Sequence, residues 1–382
     1  MSQPCFIFSG GGTGGHLFPG IAVANAVREK LPDARIIFLT TQRQLDRDLL
    51  GRTDFEQIEQ PVRPMSSRPW HWPGFGLAWR SSVALAAKTI QKTQPTAILG
   101  LGGYAAAPPI VAGKKANVFT AILNPDAIPG KANRYLGRIA DLVVAQWDVT
   151  RKHFSPATDV RVLGCPIRAE FESADPTIAM REFELVPTRP MLLVTGASQG
   201  ARTVNDALIA CWPKFFAKNP QWQLVHLTGT SEHERVQAAY ERAESDLEDE
   251  KVDVARFRDS TRVVAFTHRM ASVIAASSLV VSRAGASTLA ELTRLGKPSV
   301  LFPYPYHKDR HQHANAQVLV ERGAAVLLDD TRDGARNGAI LAPVLEQVAR
   351  KNVHDVMAEC AALMGKPACA EKVAELLITR GG

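Results

Sequence analysis

An apolar run, Cys5-Phe6-Ile7-Phe8, passes directly into Gly10-Gly11-Gly12-Thr13-Gly14-Gly15-His16 and then into an amphipathic stretch, Leu17 to Leu31, with Pro19 in its first turn. That order predicts a strand, a glycine turn and a helix start, the opening unit of a parallel α/β sheet. The turn holds more glycine than reversal of the chain requires, which points to close approach of a ligand to bare backbone. Loop N–H groups and the positive end of the helix suit a phosphate. His16 then places a titratable group where a bound diphosphate would lie.

The same grammar repeats along the chain. Apolar, β-rich runs near 5–9, 35–40, 55–58, 96–99, 118–123, 141–145 and 160–163 alternate with helical patterns, notably 17–31, 76–92 and 130–138. A second series restarts at Met191-Leu192-Leu193-Val194-Thr195 and continues near 222–227, 252–256, 279–282, 298–302 and 324–328. With 382 residues, the chain is too long for one comfortable core. Two doubly wound α/β domains are expected, with ligands beyond the carboxyl ends of the strands, facing across a cleft. The boundary is expected at Cys165-Pro166, giving domains 1–165 and 166–352. A helical tail, about 353–382, would return to the first domain.

Composition limits the alternatives. At 46% hydrophobic and 22% charged residues, the chain reads as globular rather than disordered. Five scattered cysteines without a CxxC pair favour a reducing compartment. The N-terminus enters a strand at once, leaving no room for a signal peptide. The apolar stretch Ile98 to Gly113 is broken by glycines and prolines and makes a poor transmembrane helix. The net charge of +7 is uneven: residues 60–125 contain no Asp or Glu but carry Arg63, Arg68, Arg80, Lys88, Lys92, Lys114 and Lys115.

Several motifs carry chemistry. Gly10-x-Gly12-x-x-Gly15 formally fits a dinucleotide fingerprint, but the second strand ends Leu39-Thr40-Thr41-Gln42-Arg43, with no carboxylate for a ribose. Gly196-Ala197-Ser198-Gln199-Gly200 spells the nucleophile elbow of hydrolases, so a serine hydrolase is a rival. Its Asp309 and His313 lie in one short stretch, whereas a triad draws on separate loops, so Ser198 is read as a phosphate ligand instead. Ser282 to Glu291 reads as strand, small-residue turn and helix, with Glu291 about one and a half turns in, where its carboxylate can accept ribose hydroxyls. In Tyr306 to Asn315, Lys308 stands where a zincin has Glu, which opposes zinc; Gln312 and Asn315, one turn apart, suit sugar hydroxyls.

Three of the six tryptophans fall between Trp70 and Trp79, among prolines and glycines. Trp70, Trp72, Phe75 and Trp79, with Arg68 and Arg80, suit the headgroup boundary of an anionic membrane, and the Pro and Gly density argues against a buried regular element.

These loops together resemble the MurG family of bacterial cell-wall glycosyltransferases, over nearly the whole chain. The resemblance rests on Gly11 to Gly20, Gly100-Leu101-Gly102-Gly103-Tyr104, Ser198 to Arg202, Ser282 to Glu291 and His307 to Arg310. It implies the GT-B fold, two Rossmann-like domains, with nucleotide sugar on the second and lipid acceptor on the first. It implies inverting transfer of N-acetylglucosamine from UDP to the C4 hydroxyl of undecaprenyl-diphosphate-linked muramyl pentapeptide (lipid I), forming lipid II. The enzyme would sit peripherally on the cytoplasmic face of the inner membrane, with no nucleic-acid partner. Thr13, Gly14 and Gly15 would line the cleft at the acceptor diphosphate and the sugar, Tyr104 would bind substrate, and His16 would be the base. Arg168 and the backbone of Thr267 would lie near uracil, and Ser198 at the phosphate. Ala286, Ser287, Thr288, Leu289 and Ala290 would touch phosphate and sugar, Glu291 the ribose, and Gln312 and Asn315 the sugar.

One departure matters. Asp126, in Leu123-Asn124-Pro125-Asp126, replaces an Asn that in the family meets the donor sugar, losing an amide donor and adding charge. His311 stands where the family often has a second Gln. No metal-ligand motif is recognised in the chain, so no cofactor is expected, and helix N-termini would stabilise the leaving UDP. A catalytically weak UDP-sugar binder, or a related enzyme with another lipid acceptor, are the neighbouring readings.

Overall fold

In a computed structural model, which describes residues 3–64, 68–196, 200–249, 252–306 and 309–381, the chain divides into two units. The first comprises Met1–Ala169 and Lys366–Gly382, the second Glu170–Gly365. The crossing points thus lie slightly beyond the expected boundary. The helix Lys351–Leu363 stays with the second unit because Met357 packs into that unit's core. Only the last helix, Cys369–Gly381, joins the first, burying Val373 and Leu377 beside the helix Gly14–Lys30.

The first unit holds a seven-stranded sheet in the order β3-β2-β1-β4-β5-β6-β7. Its strands are β1 (Cys5–Ser9), β2 (Arg35–Thr40), β3 (Glu56–Glu59), β4 (Ala97–Gly100), β5 (Phe119–Asn124), β6 (Leu142–Ala145) and β7 (Val160–Val162). All neighbours pair in parallel. Successive side chains of β1 feed opposite layers. Phe6 and Phe8 join the layer of Leu17, Val23 and Val27, whereas Cys5 and Ile7 join that of Ala86, Ile90 and Ile110. Burial on both faces explains why these strands read as unbroken apolar runs.

The second unit holds a six-stranded parallel sheet, β10-β9-β8-β11-β12-β13. It consists of β8 (Met191–Thr195), β9 (Gln223–Leu227), β10 (Thr261–Val264), β11 (Leu279–Ser282), β12 (Ser299–Leu301) and β13 (Ala325–Leu327). Helices Arg202–Lys218 and Gly334–Val348 pack together over its core through Leu208, Trp212, Leu341 and Leu345.

Two expectations are corrected. The run 252–256 is not a strand: Asp253 caps a helix, Val254–Ser260, its side chain accepting the Arg256 N–H at 3.0 Å, and the strand begins only at Thr261. The alternation Val252-x-Val254 imitates a strand, but the cap and the buried Phe257 decide for helix. The helix expected over 76–92 begins earlier and takes in part of the tryptophan stretch. Trp72 starts a 22-residue helix, Trp72–Thr93, with Pro73 in its first turn, where a proline is tolerated.

Strand order reverses between β1 and β4 in one sheet and between β8 and β11 in the other. Such reversals open the crevices in which α/β proteins hold ligands. All four strands that flank them lead into the glycine or small-residue loops singled out above.

Candidate functional site

At the first reversal, Gly11 and Gly12 take φ of 148° and 82°, a region that favours glycine. Thr13 then enters the helix Gly14–Lys30 in extended conformation, and its side chain does not cap the helix. Its hydroxyl lies instead 3.2 Å from His16 Nδ1. The same nitrogen is 3.1 Å from the Gly11 carbonyl. A carbonyl only accepts, so Nδ1 carries the proton and donates, which leaves the lone pair on Nε2. No hydrogen bond engages Nε2 among the described residues. The imidazole rests on the loop after β4. A Cβ on Gly102 would stand 3.2 Å from its Cδ2, and one on Gly103 3.1 Å from its Cε1; both glycines have positive φ. Gly102 and Gly103 are therefore the ring's seat, a role the sequence reading did not assign.

Beyond the carboxyl ends of these strands lies a shallow crevice, lined by Gly15, Pro19, Leu123, Asn124, Pro125 and Cys165, among others. Asn124, 1% exposed, donates to the Asp126 carbonyl at 2.7 Å and accepts from Asn133 at 3.0 Å. The loop carrying Asp126 is thus pinned from beneath. Tyr104 opens a short turn of helix next to Gly103, and both are half-buried. Arg168 stacks over Phe18 of the first helix, with the guanidinium carbon 5.2 Å from the ring centroid. Thr13 and Gly15 are exposed, and Gly14 and His16 half-buried.

In the second unit, Ser198 lies outside the described residues. The helix Ala286–Arg294 follows Gly285, which offers no side-chain cap. Its first-turn N–H groups and partial positive charge therefore remain for an anion. Ala286, Ser287 and Thr288 are half-buried there, as is Glu291, whereas Leu289 is fully buried in the unit's interior and Ala290 nearly so. Thr267 is 9% exposed and its hydroxyl accepts the Arg269 N–H. Gln312 Oε1 accepts the Tyr304 N–H at 2.8 Å. Asn315 is fully buried, so it shares the face of Gln312 without sharing its exposure.

The feature that locks this half-site escaped the sequence reading. Arg283, directly after β11, is buried. Its guanidinium reaches Asp330 Oδ2 at 2.7 Å, Thr203 Oγ1 at 3.0 Å and the Phe302 carbonyl at 3.1 Å. One side chain thereby ties together segments that follow β8, β11, β12 and β13. Burial alone would push the Asp330 carboxyl up. Hydrogen bonds from Thr203, Asn337, Arg283 and the Arg332 backbone outweigh that and hold it below the usual carboxylate range. Nothing local in the sequence links Arg283 to Asp330.

Other titratable clusters are structural. Burial pushes His226 down to about 3, and it spans Tyr240 and Asn205 in the core. His311 pairs with Asp309 at 2.9 Å, and among the described residues no three His, Cys, Asp or Glu gather as metal ligands.

The aromatic segment is split. Trp70 and Trp72 are 70% and 53% exposed, and Leu77 67%. Phe75 stacks on Trp79, which packs against the core beside Ala86 and Ile90. Arg68 covers Trp70 at 6.0 Å, and Arg80 is exposed. Trp79 thus has a packing role that the sequence reading did not give it. Among the described residues no helix is long and apolar enough to cross a membrane.

Comparison with known proteins bears on both halves. The N-terminal domain profile of glycosyltransferase family 28 matches residues 6–145, and its C-terminal domain profile matches residues 191–373. A protein of Desulforamulus reducens named UDP-N-acetylglucosamine--N-acetylmuramyl-(pentapeptide) pyrophosphoryl-undecaprenol N-acetylglucosamine transferase is 31% identical, over 96% of this chain and 98% of its own. Its namesake in Chlorobaculum parvum is 34% identical, over 97% and 98%. Among solved structures, Acinetobacter baumannii MurG superposes with a TM-score of 0.74 at 22% identity, covering 98% of this chain and 99% of that one. That likeness establishes the GT-B fold. The UDP-GlcNAc 2-epimerase of Neisseria meningitidis, bound to UDP-GlcNAc, shares the fold at a TM-score of 0.67 and 11% identity, covering 98% and 99%.

Proposed function

This chain belongs to glycosyltransferase family 28, and from its full-length relatives and its two half-sites we propose that it makes lipid II. It transfers N-acetylglucosamine from UDP-N-acetylglucosamine to the C4 hydroxyl of undecaprenyl-diphosphate-linked muramyl pentapeptide. The observation that carries the mechanism is the 3.1 Å contact between His16 Nδ1 and the Gly11 carbonyl, which calls for a proton on Nδ1 and so directs the lone pair to Nε2. Nε2 takes the proton of the acceptor hydroxyl as the oxygen attacks the anomeric carbon. The bond to UDP breaks on the opposite face, so configuration inverts, and the electron pair leaves with the diphosphate. The N-terminus of the helix Ala286–Arg294, with Ser198, meets that growing charge. Glu291 takes the ribose, Thr267 and Arg168 the base, and Gln312 the sugar. Thr13, Gly14 and Gly15 line the acceptor diphosphate and the sugar, Tyr104 binds substrate, and Asp126 stands where the family's Asn meets the donor sugar. The hydrolase reading of Ser198 falls with the family assignment.

The test is transfer from UDP-N-acetylglucosamine to a short-chain lipid I analogue, with the linkage read by mass spectrometry. A disaccharide product supports the proposal; sugar binding without transfer selects a catalytically weak binder and overturns it. Because protein dipoles meet the leaving charge, turnover persists in excess EDTA. Abolition by EDTA and recovery with a divalent ion would give that role to a metal.

The acid-free segment that carries Trp70 docks on the cytoplasmic side of an anionic membrane. Trp70→Ser with Trp72→Ser should release the protein from anionic liposomes in flotation while leaving its melting temperature in place, because both rings are exposed. Trp79→Ser should instead lower the melting temperature, because that ring packs on the core. Unchanged flotation of the double variant would remove the docking assignment.

A further inference from the structure

We propose that Asp46 is a positioning residue for His16, acting through one peptide group of the glycine loop; the inference rests on the reading of His16 as the base. Asp46 lies in the short helix Gln44–Leu50 after β2, far from His16 in sequence, and is fully buried. A carboxylate out of water needs donors, and this one has them. It accepts the Gly12 N–H at 2.8 and 3.0 Å, the Thr41 N–H at 3.1 Å and the Thr41 hydroxyl at 2.5 Å. Arg43 holds the next carbonyl, that of Gly12, at 2.9 Å.

The Gly12 N–H and the Gly11 C=O are the two ends of one planar peptide group. Asp46 grips its nitrogen end, and its oxygen end accepts the His16 Nδ1–H at 3.1 Å. The order is carboxylate, peptide, imidazole. The carboxylate fixes the plane and polarises it, making the Gly11 oxygen a better acceptor. That holds the proton on Nδ1 and the lone pair on Nε2. Both glycines have positive φ, and Gly11 is required twice over, because a Cβ there would also run into the Asp46 carboxylate. One consequence corrects the first reading of this loop: the Gly12 N–H faces Asp46 rather than an incoming phosphate.

Asp46→Asn tests this, because its amide NH₂ must face the N–H of either Gly12 or Thr41. Thr41→Val is the milder companion: it removes one donor and keeps the charge. The readout is the His16 tautomer in 15N-histidine-labelled protein, assigned by the signal lost in His16→Gln. The native protein should show Nδ1–H with Nε2 unprotonated. Asp46→Asn should mix in the Nε2–H form, and Thr41→Val should do so less. In transfer assays kcat should fall about tenfold to a hundredfold, part of what a general base contributes, with both KM values kept. If His16 keeps its native tautomer in both variants the proposal is overturned, even if the rate falls, since the loss would then be structural. If the tautomer shifts while kcat holds, Asp46 positions His16 as proposed and it is the base assignment that fails.

Discussion

Replacing His16 by alanine lowers the transfer rate about 10²–10⁴-fold, the range typical of losing a general base. UDP affinity should stay as it was, because the imidazole belongs to the first unit and the nucleotide-side residues lie mainly in the second. The geometry supports a large effect. The ring is held at Nδ1 by Gly11 and seated on Gly102 and Gly103, so Nε2 is presented in a fixed direction. Fixed orientation is what separates a catalytic base from a histidine merely nearby. Gly103→Val should reproduce much of the loss with the histidine still present. Its side chain would press on the ring from 3.1 Å, at a φ of 72° that a β-branched residue resists. Steady-state kinetics with the lipid I analogue, beside calorimetric titration with UDP, checks both variants. Full turnover in His16→Ala would move the base elsewhere.

How much of this was legible in the sequence differs between fold and site. The strands Cys5–Ser9, Arg35–Thr40 and Leu279–Ser282 could be read to the residue, because strands buried on both faces are unbroken apolar runs between turn residues. The helix Val254–Ser260 was misread because two valines alternate while one capping aspartate decides the matter. The glycine loop and His16 stood out because their chemistry is local. Asp46 did not, and Gly102 and Gly103 stood out only as part of a family motif, because only the order β2-β1-β4 brings their loops to the histidine. Asn315 and Trp79 show the converse: spacing placed them on plausible faces, but packing decided how far they are exposed.

Arg283→Met should strongly destabilise the second unit. It leaves the Asp330 carboxylate, whose side chain is fully buried, without its cation. Breaking a buried pair from one side costs about 3–5 kcal/mol. For a unit of this size each kcal/mol is worth roughly 2–4 °C, so the unit should melt roughly 6–20 °C lower. UDP-N-acetylglucosamine binding should weaken as well, since the arginine ties the segments after four strands. The sign of the pH dependence follows from Asp330. Its carboxyl is held below the usual range, so its contribution is whole above the ordinary carboxylate pKa and is lost as pH falls through the lowered value. The native protein should therefore lose stability on acidification over that window, and Arg283→Met should lose less. Adding Asp330→Asn to Arg283→Met separates charge from packing. The amide still accepts from Asn337 or Thr203 without burying an unpaired charge, so more than half of the lost melting temperature should return. If the double variant melts no higher than the single one, the arginine acts by filling space, and the ion pair is incidental to how the nucleotide-side loops are held.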